Sequence, residues 1–171
     1  MSYISSLTTE QVAALTTDNV VSLSTSQIQE LSSAQIVALT TDQAGVLTTA
    51  QVAALTTSQI DAFETEALAA LTTSAVAALT TAQIQSLTTD QVAGLSSNQA
   101  GALTTVQLRV LTTEQLVALE TADFAALSTA AVAALTTTQT QALTTDQLGT
   151  LSSDEIVALT TAQVAALTTA Q

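Results

Sequence analysis

A large aliphatic or aromatic residue returns every eight positions from Leu7 to Leu167, through Leu15, Leu23, Leu31 and Phe63. No other feature constrains the fold as much, because a chain of near-identical units must place each unit in near-identical surroundings. The unit is L-T-T-x-Q-V-A-A. Twenty full copies span Leu7 to Ala166, and Leu167 to Gln171 begin another. The residues before Leu7 keep the same phase, with Ile4 in the Val slot and Tyr3 in the Gln slot. No linker or shift in composition interrupts the copies, so residues 1–171 read as a single octapeptide-repeat solenoid with partial repeats at both ends.

Spacing within the unit selects the secondary structure. The Val slot lies three residues before the next Leu, as Val12 does before Leu15, and three residues put both side chains on one face of a helix. In a strand the same two residues would point to opposite faces. One continuous helix fails as well, since eight residues advance about 800° and each octad would turn its apolar pair by about 80°. The chain must break once per unit. The expected fold is therefore all-α, a superhelical solenoid of very short capped helices, one per octad. Its core is read as the Leu and Val slots, represented by Leu15, Leu39, Leu55, Leu79, Leu111 and Leu135 with Val12, Val52, Ile84 and Val132.

The break falls at the hydroxyl pair. Ser and Thr favour helix N-caps, and Thr-Thr-x-Gln fits a capping box, as in Thr8-Thr9-Glu10-Gln11. The second hydroxyl is Thr or Ser in all 21 copies, whereas the first admits Glu64 and Glu120. That uniformity makes the second position the expected cap, at Thr9, Thr41, Thr57, Thr81, Thr113 and Thr145. It also suggests that this hydroxyl donates to a carbonyl at the end of the preceding helix, because only four Gly are present to supply glycine C-caps.

Two longer patterns overlie the octad. Residues 42–97 and 98–153 read as copies of a 56-residue block: Ala44-Gly45 matches Ala100-Gly101, Glu64 matches Glu120, and Ala67 and Ala75 match Asp123 and Ala131. Acids after the hydroxyl pair fall at Asp18, Asp42, Glu66, Asp90 and Glu114, every 24 residues, which suggests three octads per superhelical turn. Acids there also suit the first turn of a helix, where the dipole favours negative charge. The trio Asp61, Gln85 and Arg109 has the same 24-residue spacing.

Chemistry is constrained by what the composition lacks. The chain has no Cys, His, Trp, Pro or Lys, and Arg109 is its only base. Thiol nucleophiles, zinc sites and His-based triads are therefore unavailable. The carboxylate pairs Asp154-Glu155 and Glu64-Glu66 read as solvated surface charge, and an acidic column without EF-hand-like loops does not make a Ca²⁺ site. No enzyme, cofactor or metal is expected. A net charge of −13 opposes phosphate backbones, so no nucleic-acid partner is expected. Mean hydropathy is positive at +0.47, yet hydroxyl pairs interrupt every apolar run, so membrane insertion is not expected either. The start, Met1 to Ser6, shows no signal-peptide pattern.

Two resemblances follow from quoted residues. The segment Leu111-Thr112-Thr113-Glu114-Gln115-Leu116-Val117-Ala118-Leu119 resembles the first helix of transcription-activator-like effector repeats. It lacks their length, base-reading loop and basic residues, so the resemblance implies a shared capping solution and not DNA binding. Over its whole length the run of octads resembles octapeptide tracts of large bacterial surface or secreted proteins, which implies an extracellular or cell-surface location.

The leading functional expectation is a structural or adhesive module: a rod, spacer or self-assembling subunit. The tract stops at Leu167-Thr168-Thr169-Ala170-Gln171 without a polar capping unit, so its expected partners are its own kind, stacked end to end, or other segments of a larger repeat protein. Alternatives are binding to an ordered surface such as ice through the Thr rows, or peptide binding in a groove. The second is opposed by the scarcity of aromatic and Arg anchors.

Overall fold

A computed structural model describes residues 3–171. Among them are one 3₁₀ turn, Tyr3–Ser6, and twenty α-helices of four to six residues, from Thr9–Ala13 to Thr161–Ala166, one per octad and with no strand. The fold is an all-α solenoid. By its internal contacts the chain forms two compact units, Met1–Leu87 and Thr88–Gln171.

Each helix starts and stops for local reasons. Thr48, in extended conformation at φ −74° and ψ 158°, accepts the backbone N–H of Gln51 on its hydroxyl, while Gln51 Oε1 accepts the N–H of Thr48. Both bonds of the capping box are thus made. At the other end Leu55 turns to φ −56° and ψ 141°, and its N–H donates to the Val52 carbonyl at 3.2 Å, tightening the last turn to an i→i−3 bond. The chain leaves the helix through an extended Leu-Thr step. No described residue has positive φ, so a glycine cap is not needed.

Helices this short are unstable alone, and their stability comes from stacking. In the first unit Thr9–Ala13 packs on Ser33–Val37, Thr25–Gln29 on Thr49–Ala54, and Thr41–Gly45 on Thr65–Ala69. In the second, Thr89–Ala93 packs on Thr113–Ala118 and Thr137–Ala142 on Thr161–Ala166. Every contact of this kind joins a helix to the third one after it. Within each unit one superhelical turn therefore takes three octads, or 24 residues.

The core lies along the inside of each stack. Val12, Val52, Ile84 and Val132 are wholly buried, and Leu39, Leu55, Leu79, Leu111 and Leu135 nearly so. Leu15 departs from the expectation and is only part-buried. It and Leu23 belong to the first turn, with no complete turn beneath them. Thr140 occupies a Val slot in the core, and its hydroxyl is satisfied by the Thr136 carbonyl at 3.0 Å.

Candidate functional site

The most distinctive polar chemistry of the molecule belongs to the Gln slot. Gln51 is buried, its Oε1 occupied by its own cap, and its Nε2 donates to the carbonyls of Val20 and Leu23, both at 2.8 Å. Those acceptors lie 31 and 28 residues earlier, where one helix of the preceding turn ends and the next begins. Gln43 makes the same pair of bonds to Val12 and Leu15, Gln59 to Ile28 and Leu31, and Gln83 to Val52 and Leu55. In the second unit Gln139 binds Leu108 and Leu111, and Gln163 binds Val132 and Leu135. One carboxamide thus caps its own helix and fastens that helix to the turn below. The Val-slot carbonyl has only the i→i−3 bond from the following Leu and the Leu-slot carbonyl has no helical donor, and burying such acceptors unpaired is unfavourable. The Gln ladder satisfies them.

These bonds correct the expectation for the hydroxyl pair. The cap is the first hydroxyl, at Thr8, Thr40, Thr56, Thr80, Thr112 and Thr144. Thr9, Thr41, Thr57, Thr81, Thr113 and Thr145 are instead the first helical residues. A capping box needs the Gln three residues after the cap, and only the first hydroxyl has that spacing. Among the described residues no second hydroxyl donates to the preceding helix; helix-end carbonyls are instead bonded by Gln amides of the following turn. At this position Ser97 donates to Asp123 Oδ1 at 2.7 Å, and Thr9 and Thr113 interact with the carboxylates of Glu10 and Glu114. Elsewhere these side chains are exposed or part-exposed, and nothing in the structure explains why all of them are hydroxyls.

The ladder has gaps. Ala67, Ala75 and Ala131 carry no amide, Asp123 is a buried carboxylate bonded to Ser97, and Glu155 is buried with Oε2 taken by Ser152 N and Oγ. The helices led by Glu64 and Glu120 have no side-chain cap bond, and they are two of those that lack Gln. At Glu64 and Glu120 both halves of the box are lost together, whereas Thr72 and Ser128 still accept the backbone N–H of Ala75 and Ala131.

The ladder is also open at two places. In the first described turn Gln11 and Asn19 are exposed and Gln27 is part-exposed; their oxygens cap their own helices, and no described turn lies beneath their amide nitrogens. In the last turn Ile156 and Val164 are 55% and 52% exposed, where the equivalent Val12, Val20 and Ile28 of the first turn are 0–1%.

The acids lie outside this seam. Asp18, Asp42 and Glu66 are exposed at one-turn spacing in the first unit, and Asp90 and Glu114 in the second. The backbone N–H of Glu10, with the Thr8 and Thr9 hydroxyls, holds its carboxyl below the ordinary glutamate value; Glu114 is lowered in the same way by its own backbone N–H, Thr112 and Thr113. Among the described residues no three acids gather as a metal-binding group. Glu64, Glu66 and Asp154 are exposed, while Glu155 is buried. Asp61 and Gln85 share a column in the first unit, and Arg109 is exposed in the second. Asp61 borders a shallow polar depression of about 270 Å³ with Thr57, Ser58 and Ser86.

This octad is a known unit. The ALTTAQ repeat matches residues 21–49, 45–73, 60–97, 73–105 and 116–153, more than half of the chain. The protein belongs to the ALTTAQ repeat family. No curated protein matches it as a relative. The ALTTAQ tract is a repeat scaffold, and none of its described helices is long and apolar enough to cross a membrane.

Proposed function

We propose that this ALTTAQ tract is a non-catalytic spacer, a rod-like or adhesive segment of a bacterial surface or secreted protein that holds other parts apart. The observation that carries this reading is the Gln ladder. The buried amides are committed to holding turn on turn, and each added turn brings its own fasteners. Such a scaffold can be lengthened in 24-residue steps without new chemistry. Its exposed acids are solvated charge, and the net charge of −13 disfavours nucleic acid and anionic lipid surfaces.

Stretching the chain between its termini in a single-molecule experiment tests this. A spacer resists force and yields in steps of one turn, each releasing at most about 80 Å of extended chain for 24 residues. Extension at negligible force, with no steps, would remove the load-bearing role.

A second reading gains from one observation. The helix-starting hydroxyls are not the caps, so they are free to face outward, and Ser33, Thr57 and Thr81 are exposed at one-turn spacing in the first unit. An ordered surface such as ice is the ligand class that such rows suit. A thermal-hysteresis measurement in which ice grows as in buffer would eliminate it.

A further inference from the structure

We infer that each unit carries a built-in yield point: the joint between the helix led by Glu64 and the turn beneath it, and its equivalent at the helix led by Glu120. The inference rests on the scaffold reading above and names where such a scaffold gives way first.

Ladder bonds reach back 31 and 28 residues, so each octad fastens to one junction of the preceding turn. At those offsets Gln51 binds Val20 and Leu23, and Gln59 binds Ile28 and Leu31. The next two octads carry Ala67 and Ala75, which have nothing to donate to the carbonyls of Ile36 and Leu39 or of Ala44 and Leu47. Gln83 resumes the series on Val52 and Leu55. With three octads per turn, two successive gaps leave that joint with one fastener out of three. The second unit repeats the arrangement. Asp123 and Ala131 stand where amides would meet Val92 and Leu95, and Ala100 and Leu103. Asp123 is bonded to Ser97 instead, and Gln139 resumes on Leu108 and Leu111. Glu155, by contrast, is a single gap between Gln147 and Gln163, both of which are fastened.

Two further features weaken the same joint. The helices Thr65–Ala69 and Thr121–Phe124 have no side-chain cap bond. In the turn beneath, Ala44 and Ala100 occupy the Val slot and bury less apolar surface than a larger aliphatic would. What remains is the packing of buried residues such as Leu68, Val76, Phe124 and Val132, together with a close approach of backbones. A Cβ on Gly45 or Gly101 would lie 3.2 or 2.7 Å from the carbonyl oxygen of Ala70 or Ala126. Neither contact supplies a donor to the junction carbonyls. Solenoid stability is roughly a sum of repeat terms and nearest-neighbour interfaces, so opening starts at the weakest interface. The helices led by Glu64 and Glu120 therefore part from the turn beneath them while Gln-bonded turns stay closed. Under load, each unit lengthens first at this joint.

Residue-resolved amide hydrogen exchange on the unaltered chain tests this without force. In the first unit the amides of Leu71 and Leu79 donate to the Leu68 and Val76 carbonyls, and that of Leu55 closes the Gln-bonded helix Thr49–Ala54. Corrected for intrinsic rates, Leu71 and Leu79 should exchange about tenfold faster than Leu55, and Leu127 and Leu135 about tenfold faster than Leu143 in the second unit. Gln51→Ala should then raise the exchange of Leu55 to the level of Leu79. Ala already stands in this slot at Ala67, Ala75 and Ala131, and unchanged helical circular dichroism verifies the fold. Equal protection of these amides within each unit overturns the inference, as does a folded Gln51→Ala chain in which Leu55 exchanges as before. Equal protection in a chain that still resists stretching removes the yield point and leaves the spacer. Fast exchange at the two joints in a chain that extends without steps does the opposite.

Discussion

At the scale of single residues, Gln is the residue that makes the octad more than an amphipathic turn. Its carboxamide has an acceptor and two donor hydrogens, and the fold engages both ends: Oε1 on the cap, Nε2 on the turn below. Glu155 shows what remains when the donor is lost. By the register of Gln147 and Gln163, it stands opposite the Phe124 and Leu127 carbonyls with nothing to donate. Replacing it by Gln should keep the Ser152 cap and add these bonds, raising stability by about 1 kcal/mol in denaturant unfolding. No gain would mean those carbonyls are already well solvated. The cap assignment makes a second prediction. Thr48→Ala should lose about 1 kcal/mol, whereas Thr49→Ala, at the first helical position, should stay within about 0.5 kcal/mol of the parent. Equal losses would return the cap to the second hydroxyl. This is where the sequence was least legible. Two adjacent hydroxyls look alike, and the retained one attracts attention. The better signal was that both copies without a first hydroxyl, at Glu64 and Glu120, also lack the Gln, at Ala67 and Asp123.

Helices and their junctions were easier to read. The three-residue offset from Val12 to Leu15 excludes a strand by geometry, and eight residues per unit exclude one long helix, so short helices follow without tertiary information. The recurrence of Asp18, Asp42 and Glu66 also points to the 24-residue turn. The bonds reaching back 28 and 31 residues were not legible, because they depend on which end of a helix lies over which junction, and periodicity carries no such information. Packing between helices is close at particular points. A Cβ on Gly101 would lie 2.7 Å from the Ala126 carbonyl oxygen of the helix Thr121–Phe124 and its cap segment, whereas one on Gly149 would meet nothing within 4 Å. Gly101→Ala should thus destabilise by about 1–3 kcal/mol through a forced shift of backbone. Gly149→Ala should stabilise by about 0.4–1 kcal/mol by reducing the freedom of the unfolded chain. Chemical unfolding of the two variants side by side measures the contrast, and similar effects at both would argue against the close approach.

For the whole molecule, net charge and the ladder act in different ways. Glu10 and Glu114 bind protons less readily when folded than as ordinary glutamates, so their contribution to stability is present above about pH 4.3 and lost as pH falls through their lowered values. Carboxyl NMR titration should place both below the exposed glutamate range; ordinary values would mean their first-turn contacts do not persist in solution. Cohesion itself is assigned to the Gln ladder, and one comparison tests that most directly. Gln51→Glu and Gln11→Glu make the same chemical change, add the same charge and keep the capping box. Gln51 is buried over Val20 and Leu23, while Gln11 is exposed and no described turn lies beneath it. In equilibrium unfolding, Gln51→Glu should lose about 2–4 kcal/mol, since a buried carboxylate would face two carbonyls with no donor between them, and Gln11→Glu should lose no more than about 0.5 kcal/mol. Equal losses from the two variants would contradict the claim that the Gln ladder binds turn to turn.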